Sequence, residues 1–401
     1  MEDFTAYMKE IEPKLIEIRR KLHSYPELGK EEEKTCEIIV EALKDVEGLT
    51  ITKGLAHGHG VMAQLEGTGQ GEGEKKCVLL RADIDALPIE EINDLPYRSK
   101  HPGRMHACGH DAHATWIIGA AMLLSRLRDR FYGTVKFVFQ PGEEVGFGAK
   151  EMILEDRVLE NPTVDMAFAA HGWPSIEAGK VGIAARYAFG CPGGFTIKIK
   201  GKGGHGSWPY KAVNPILVGS TICTLLPQIL SDKIPSVEPR IISVGAIHAG
   251  EKGVGNIIPD TCEINGTIRA TKVEVMKQLK DEMEKVIAGV CNMHGAEYEF
   301  SCRYSLMGVK NHKALIPMVK ESVGKVLGPE MVEVLEEDNL GGENFCEFSS
   351  RVPSVYLFMG IKNEAIAPEF SLHSPKYMLD ESVLVKAAGC FASIAIDALK
   401  K

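Results

Sequence analysis

The sequence predicts an α/β protein built on a mostly parallel sheet, with a ferredoxin-like α+β domain inserted into it. Three observations carry that expectation. Three near-continuous apolar runs, at 77–82, 133–139 and 164–170, alternate with helical patterns, as strands buried on both faces do. Each run leads into residues able to bind a metal: Asp83, the pair Glu143-Glu144 after Gln140-Pro141-Gly142, and His171. Around Ala188 the character changes to alternating strands, and at 401 residues the chain is too long for one ordinary core.

Taken in order, residues 4–24 carry Ile11, Leu15, Ile18 and Leu22 at helical spacing until Pro26 stops them. A second amphipathic helix is expected at 31–44. Residues 61–65 and 77–80 read as strands joined by the glycine-rich run 67–73. That run lacks the Lys-Ser/Thr of a phosphate loop and no helix follows it, so a mobile hairpin tip is expected. Residues 114–127 place Trp116, Ile117, Ala120, Leu123, Leu124 and Leu127 on one helical face. Strands at 195–200, 241–248, 261–268 and 296–303, with helices at 213–230 and 273–293, give the ferredoxin-like order. The first style then resumes with a helix from His312, a strand at 354–359 and a closing helix at 381–399.

Composition narrows the function. Hydrophobic content of 44% and charged content of 25% are those of a globular protein, and no uninterrupted apolar run of membrane-helix length is apparent. A formal net charge of −9 argues against a nucleic-acid backbone as partner. The start, Met1-Glu2-Asp3-Phe4, lacks a signal peptide's basic and apolar segments. Ten scattered cysteines without a Cys-x-x-Cys pair read as reduced thiols, so a cytoplasmic protein is expected.

The densest chemistry lies in Met105-His106-Ala107-Cys108-Gly109-His110-Asp111-Ala112-His113. Thiolate and neutral imidazole suit zinc, cobalt and nickel, and carboxylates also suit manganese. By itself the cluster is equally a buried polar knot or a surface patch. Asp83 and Asp85, just past a strand's C-terminal end, stand where open α/β sheets place their chemistry, although either alone reads as well as a cap or turn residue. Adjacent carboxylates such as Glu143 and Glu144 are usually solvated, but the Pro-Gly turn before them would aim them into a cleft, one to bind metal and one to move protons. His171 and His373 each open a short turn containing proline after apolar residues, and either alone reads more readily as a structural histidine. Gly201-Lys202-Gly203-Gly204-His205-Gly206 matches a dinucleotide fingerprint in letters, yet Pro209 intervenes before any helix and no acidic partner follows. A nucleotide is not expected, and His205 alone reads as a loop histidine.

Together these motifs resemble the aminoacylase/carboxypeptidase family of dinuclear metallohydrolases. They are nearest its amidohydrolase branch of hippurate, indoleacetyl-amino-acid and N-acetyldiaminopimelate hydrolases. The segments that carry the resemblance are 19–27, 81–88, 105–113, 139–144, 171–174, 201–209, 256–260, 266–269 and 372–375. The resemblance implies a catalytic domain at 1–187 and 304–401 around a lid and dimerisation domain at 188–303. It implies Cys108, His110, Glu144, His171 and His373 as ligands of two divalent ions, manganese or zinc, with cobalt or nickel compatible. Cys108 would bridge the ions, Glu143 would be the general base, and Asp83 would support a histidine ligand. His205 would reach the partner subunit's site in a homodimer, with Asn256 and Arg269 near the substrate carboxylate.

The implied reaction is hydrolysis of an N-acyl amino acid or small peptide by a water held between the ions, with no nucleic acid or membrane involved. A dipeptidase or carboxypeptidase on the same site, and a metal-binding relative without turnover, are the alternatives. Three departures stand out from the family pattern. Gly142 replaces a usual alanine and should be harmless. Trp208 replaces methionine, and Gly341-Gly342-Glu343-Asn344-Phe345 replaces Gly-Ser-Glu-Asp-Phe, both where acyl group and amino-acid side chain are selected.

Overall fold

A computed structural model describes residues 2–305, 307–366 and 371–400. The chain divides into two compact units. One comprises residues 1–186, 309–337 and 344–401, and the other residues 187–308 and 338–343.

The first unit opens with α1 (Glu2–Ser24) and α2 (Glu33–Leu43), then β1 (Leu49–Leu55), β2 (Gly60–Glu66) and β3 (Lys76–Asp83). It continues through α3 (His110–Arg126), β4 (Gly133–Gln140), α4 (Ala149–Leu154), β5 (Met166–Glu177) and β6 (Val181–Ala184). The second unit contains β7 (Tyr187–Phe189), β8 (Cys191–Lys200), β9 (Gly204–His205), α5 (Pro215–Leu225), α6 (Gln228–Asp232) and β10 (Arg240–Ala249). It closes with β11 (Ile257–Ile258), β12 (Thr261–Ala270), α7 (Val273–His294) and β13 (Glu297–Tyr304). The first unit then resumes with β14 (Val309–Lys310), α8 (Ile316–Leu327), β15 (Val332–Leu335), α9 (Cys346–Ser349), β16 (Ser354–Lys362) and α10 (Val383–Ala398).

The first unit's sheet runs β1-β2-β4-β3-β5-β16-β6-β15. Its centre, β4-β3-β5-β16, is parallel throughout. These strands are the apolar runs read from the sequence, and β4 is buried along its whole length. Helix α3 is buried from His110 to Leu124. That burial places the helix inside the core, with Leu15 and Ala388 of α1 and α10 close enough to Gly119 that a Cβ there would clash.

Several expectations change. β2 and β3 do not form a hairpin, because β4 inserts between them and pairs with both. The glycine run is therefore no hairpin tip. Gly67 N–H donates to Gly133 O and Thr68 N–H to Arg128 O, and a Cβ on Gly67 would meet Phe131 O. β5 does not stop before His171: Phe358 and Met359 of β16 remain paired with His171 and Gly172, and the register shifts only past Gly360. Pro174 falls in the stretch that this bulge leaves without a partner, which is where a strand tolerates proline.

The second unit's sheet, β10-β12-β8-β13, is antiparallel and has the ferredoxin-like order. Its core joins Ile197 and Ile199 of β8 and Ile264 of β12 to Val218 and Ile222 of α5 and Leu279 and Met283 of α7. The helix expected at 213–230 is broken at Leu226-Pro227. Its 18-residue window Pro215–Asp232 is apolar enough, at mean hydropathy 1.2, to pass as a membrane span by composition. The break at Pro227 leaves helices of 11 and 5 residues. The second unit also takes up residues 338–343, which lay outside the insert expected from the sequence. Tyr187 N–H donates to Asp338 Oδ1 at 3.0 Å, and Gly190 N–H to Gly341 O at 3.0 Å.

Candidate metal centre

The parallel strands bring their C-terminal ends together, and the expected ligands converge there. Gly109, at φ +90°, turns the chain into α3 so that Cys108 and His110 lie side by side. A Cβ at Gly109 would sit 2.3 Å from the Tyr377 hydroxyl. The turn is anchored beneath by Asp111, which meets Arg19 Nε at 2.9 Å and His23 Nδ1 at 2.7 Å. Burial opposes charge on Asp111, but Arg19 and His23 hold its carboxyl far below the usual range. This buried network gives the Arg19–Glu27 motif its role. At the motif's end, Glu27 accepts from the N–H groups of Lys34 and Thr35 in the first turn of α2.

Two donor sets share the thiol. Cys108, His110 and His171 offer ligand atoms within 4.8 Å of one another, and so do Cys108, Glu144 and His373. Cys108 Sγ is 3.3 Å from His171 Nε2. His373 Nε2 is 3.2 Å from Glu144 Oε1. His373 adopts φ +63°, and its N–H donates to Ala107 O, fastening its loop to the cysteine turn. A third set joins His110 with Glu143 and Glu144.

The rings are oriented by their other nitrogens. His110 Nδ1 meets Asp85 Oδ1 at 3.0 Å, leaving Nε2 buried and, among the described residues, without a hydrogen-bond partner. Asp83 Oδ2, at 3.8 Å from that Nε2, is too far to bond it. His171 Nδ1 donates to Gly172 O at 2.8 Å, which turns Nε2 toward Cys108. His113 differs. Gly172 N–H donates to its Nε2 at 3.0 Å, so that nitrogen is unprotonated and Nδ1–H must donate to Asp83 at 2.6 Å. Both nitrogens of His113 are thus engaged, and it has no lone pair for a metal.

The residues fit a pair of divalent cations: a thiol, three imidazoles and a carboxylate, with the buried His110 Nε2 otherwise unmatched among the described residues. Burial pushes the Cys108 thiol up and the His171 ring down to about 3. Burial likewise opposes charge on His110, but Asp83 and the Asp85 hydrogen bond raise its pKa well above the ordinary value. Binding a cation would therefore displace protons from Cys108 and His110.

The turn carrying Glu143 and Glu144 is held from several sides. Gly142, at φ +64°, would place a Cβ 2.9 Å from Phe147 Cβ, so glycine here suits the turn and is more than a harmless replacement. Gly142 N–H donates to buried Glu32 Oε1 at 2.8 Å, and Glu144 N–H to Asp85 Oδ2 at 3.0 Å. Burial and the nearby charge of Asp85 push the Glu32 carboxyl up to about 8. Asn344 N–H donates to Glu143 Oε1 at 3.2 Å.

Sequence reasoning gave Asp83 the support of a histidine ligand. In the structure Asp85 orients His110, while Asp83 grips His113 and Arg81. Glu32, Asp85 and Asn344 were given no role in holding the site. For Asp85 the signal was present, since it stands two residues after Asp83 in the same motif. His205, Asn256 and Arg269 belong to the second unit. There β9 and β11 pair Ile257 with His205, and Gly206 N–H donates to Asn256 O at 2.8 Å, placing His205 and Asn256 side by side. Exposed Trp208 packs its ring 5.1 Å from that of His205, and half-buried Arg269 of β12 lies across from Ile241 of β10.

A model of peptidase family M20/M25/M40 matches residues 79–397. Thermostable carboxypeptidase 1 of Saccharolobus solfataricus is 37% identical over 391 residues, 97% of this chain and 96% of its own length. N-acetylcysteine deacetylase of Bacillus subtilis is 34% identical over 392 residues, 98% of each protein. A solved Bacillus subtilis structure, described as a dinuclear metal binding peptidase from the M20 family, matches with TM-score 0.81 and 31% identity, over 98% of this chain and 99% of that one. The family match spans every segment that supplies a converging donor, and the chain is a hydrolase belonging to peptidase family M20/M25/M40.

Proposed function

We propose that the chain is a metal-dependent N-acyl-amino-acid amidohydrolase that releases a carboxylate and a free amino acid. The observation that carries this reading is Glu143 beside Glu144, adjoining the donors around Cys108. Cys108, His110, Glu144, His171 and His373 would hold two divalent ions, manganese or zinc, whose Lewis acidity lowers the pKa of water and polarises the amide carbonyl. Glu143 accepts the proton of the attacking water at its carboxylate and passes it to the leaving amine. Asp85 keeps His110 in the tautomer whose Nε2 faces the site. Asn256 and Arg269 would meet the substrate carboxylate. The ten free thiols support a reducing, cytoplasmic location.

The likeness to a carboxypeptidase favours a second reading, cleavage of a peptide's C-terminal residue at the same site. Assays of N-acetyl amino acids, N-benzoyl amino acids and dipeptides with added manganese, zinc or cobalt separate the two. Turnover of the acyl amino acids at the highest kcat/KM is expected, whereas cleavage confined to peptides would overturn the first reading.

The family resemblance motivates one more part of this reading: a homodimer in which His205, on the second unit, would complete the partner subunit's site by donating to the oxyanion. His205→Ala should then lower kcat by about a hundredfold or more, with metal content and dimer intact. Mixing it with Glu143→Gln should restore activity, since random exchange makes about half the dimers mixed, each with one whole site. Subunit exchange without recovery would show that His205 does not act in trans.

A further inference from the structure

Resting on the reading of Glu143 as proton acceptor, we infer that Asn344 is a positioning residue for that carboxylate, not a selector of the substrate's side chain. Its backbone N–H donates to Glu143 Oε1 at 3.2 Å. Its Oδ1 accepts from Arg81 Nη2 at 3.0 Å and from Gln140 Nε2 at 2.9 Å. Its Nδ2 donates to Phe147 O at 3.0 Å. Both ends of the amide are thus engaged within the first unit. Gln140 stands at the start of the turn that carries Glu143, and Phe147 stands at its end. Gln140 Nε2 also donates to Phe147 O directly at 3.1 Å, and the Asn344 side chain bonds both of these ends while its backbone N–H holds the carboxylate.

The support continues inward. Fully buried Arg81 also donates to Gln140 Oε1 through Nε and Nη2, at 3.0 and 2.8 Å, and to Asp83 Oδ2 through Nη1 at 2.8 Å. Asp83 in turn accepts from His113, whose Nε2 receives Gly172 N–H next to His171. Asn344 is therefore one end of a hydrogen-bonded chain that runs through Arg81, Asp83 and His113 to β5, the strand that carries His171. The position calls for an acceptor toward Arg81 and Gln140 and a donor toward Phe147 O, and an amide supplies both. A carboxylate would satisfy the first two but oppose the Phe147 carbonyl with a lone pair. The Asn344 amide, where the resemblance has aspartate, adds that third bond to an oxygen that Gln140 Nε2 also reaches at 3.1 Å.

Asn344→Ala and Asn344→Asp, measured for kcat, KM and bound metal across the N-acetyl, N-benzoyl and dipeptide panel, test the inference. Asn344→Ala should lower kcat about tenfold to a hundredfold for every substrate the wild type cleaves, the cost of a misplaced reacting group. KM should change by less than about threefold, the bound metal should be retained, and the rank order of substrates should not change. Asn344→Asp keeps the acceptor and the backbone contact, so its loss should be smaller, and it serves where the alanine variant fails to fold. A reordered panel, or an unchanged kcat in either variant, would overturn the inference. A crystal structure of Asn344→Ala, or of Asn344→Asp if that variant alone folds, reads positioning without turnover. Displacement of residues 142–147 is expected, and an unmoved Glu143 carboxylate overturns the inference. A wild type that cleaves only dipeptides, or nothing in the panel, would defeat the amidohydrolase reading alone and leave this structural test decisive.

Discussion

Glu143→Gln is expected to lower kcat by about a hundredfold or more while leaving the bound metal unchanged. The reason is geometric. Glutamine keeps the size of the side chain and the oxygen that accepts Asn344 N–H, 3.2 Å away in the wild type. It removes only the capacity to take a proton. The five expected ligands are untouched, so KM and metal content should stay near wild type. Steady-state kinetics beside metal analysis by mass spectrometry decide the matter. Near-wild-type kcat would take the proton-transfer role from Glu143, and loss of metal would make it a ligand instead.

The fold and the site are legible in the sequence to different degrees, for physical reasons. The central strands were legible because both faces of β3, β4 and β5 are buried, which forces near-continuous apolar runs. β1 is not legible because Thr52, Lys53 and Gly54 in its second half are exposed and its apolar content is thin. The supposed hairpin failed for a different reason: nearness along the chain does not show which strand will insert between two others. The glycine run serves to pass the chain around β4. At the site, residue types announced the donors, but second partners were not legible. Whether Asp83 or Asp85 faces His110 depends on how the chain leaves β3, and His113 is withdrawn from metal binding by a backbone N–H from β5. Asn344 read as a specificity position because it departs from a pattern, whereas its partners are internal.

Cys108→Ser should produce the largest change in composition, with loss of metal as well as activity. Cys108 is the one member common to the two donor sets that contain His171 and His373, so its replacement weakens both. A serine hydroxyl is a far poorer ligand than thiolate. Metal bound per subunit after gel filtration should fall below that of the wild type, with kcat reduced by about a hundredfold or more. Two tightly held ions in the variant would remove Cys108 from the metal's direct ligands. Asp85→Asn is the comparison, since it disturbs the partner of both His110 and the Glu144 N–H and leaves the thiol in place.

The convergence of donors from positions as distant along the chain as Cys108 and His373 has a thermodynamic meaning beyond catalysis. An ion gripping these segments acts as a reversible cross-link, and only the folded chain presents them together. Folding equilibrium and metal supply are then linked by mass action. A free ion at a hundred times its dissociation constant adds about 2.7 kcal/mol to the folded state. With these donors holding the ions, the same polypeptide would have a wider margin against unfolding where metal is abundant than where it is scarce. Turnover by proteases would follow the metal pool even if no substrate were present.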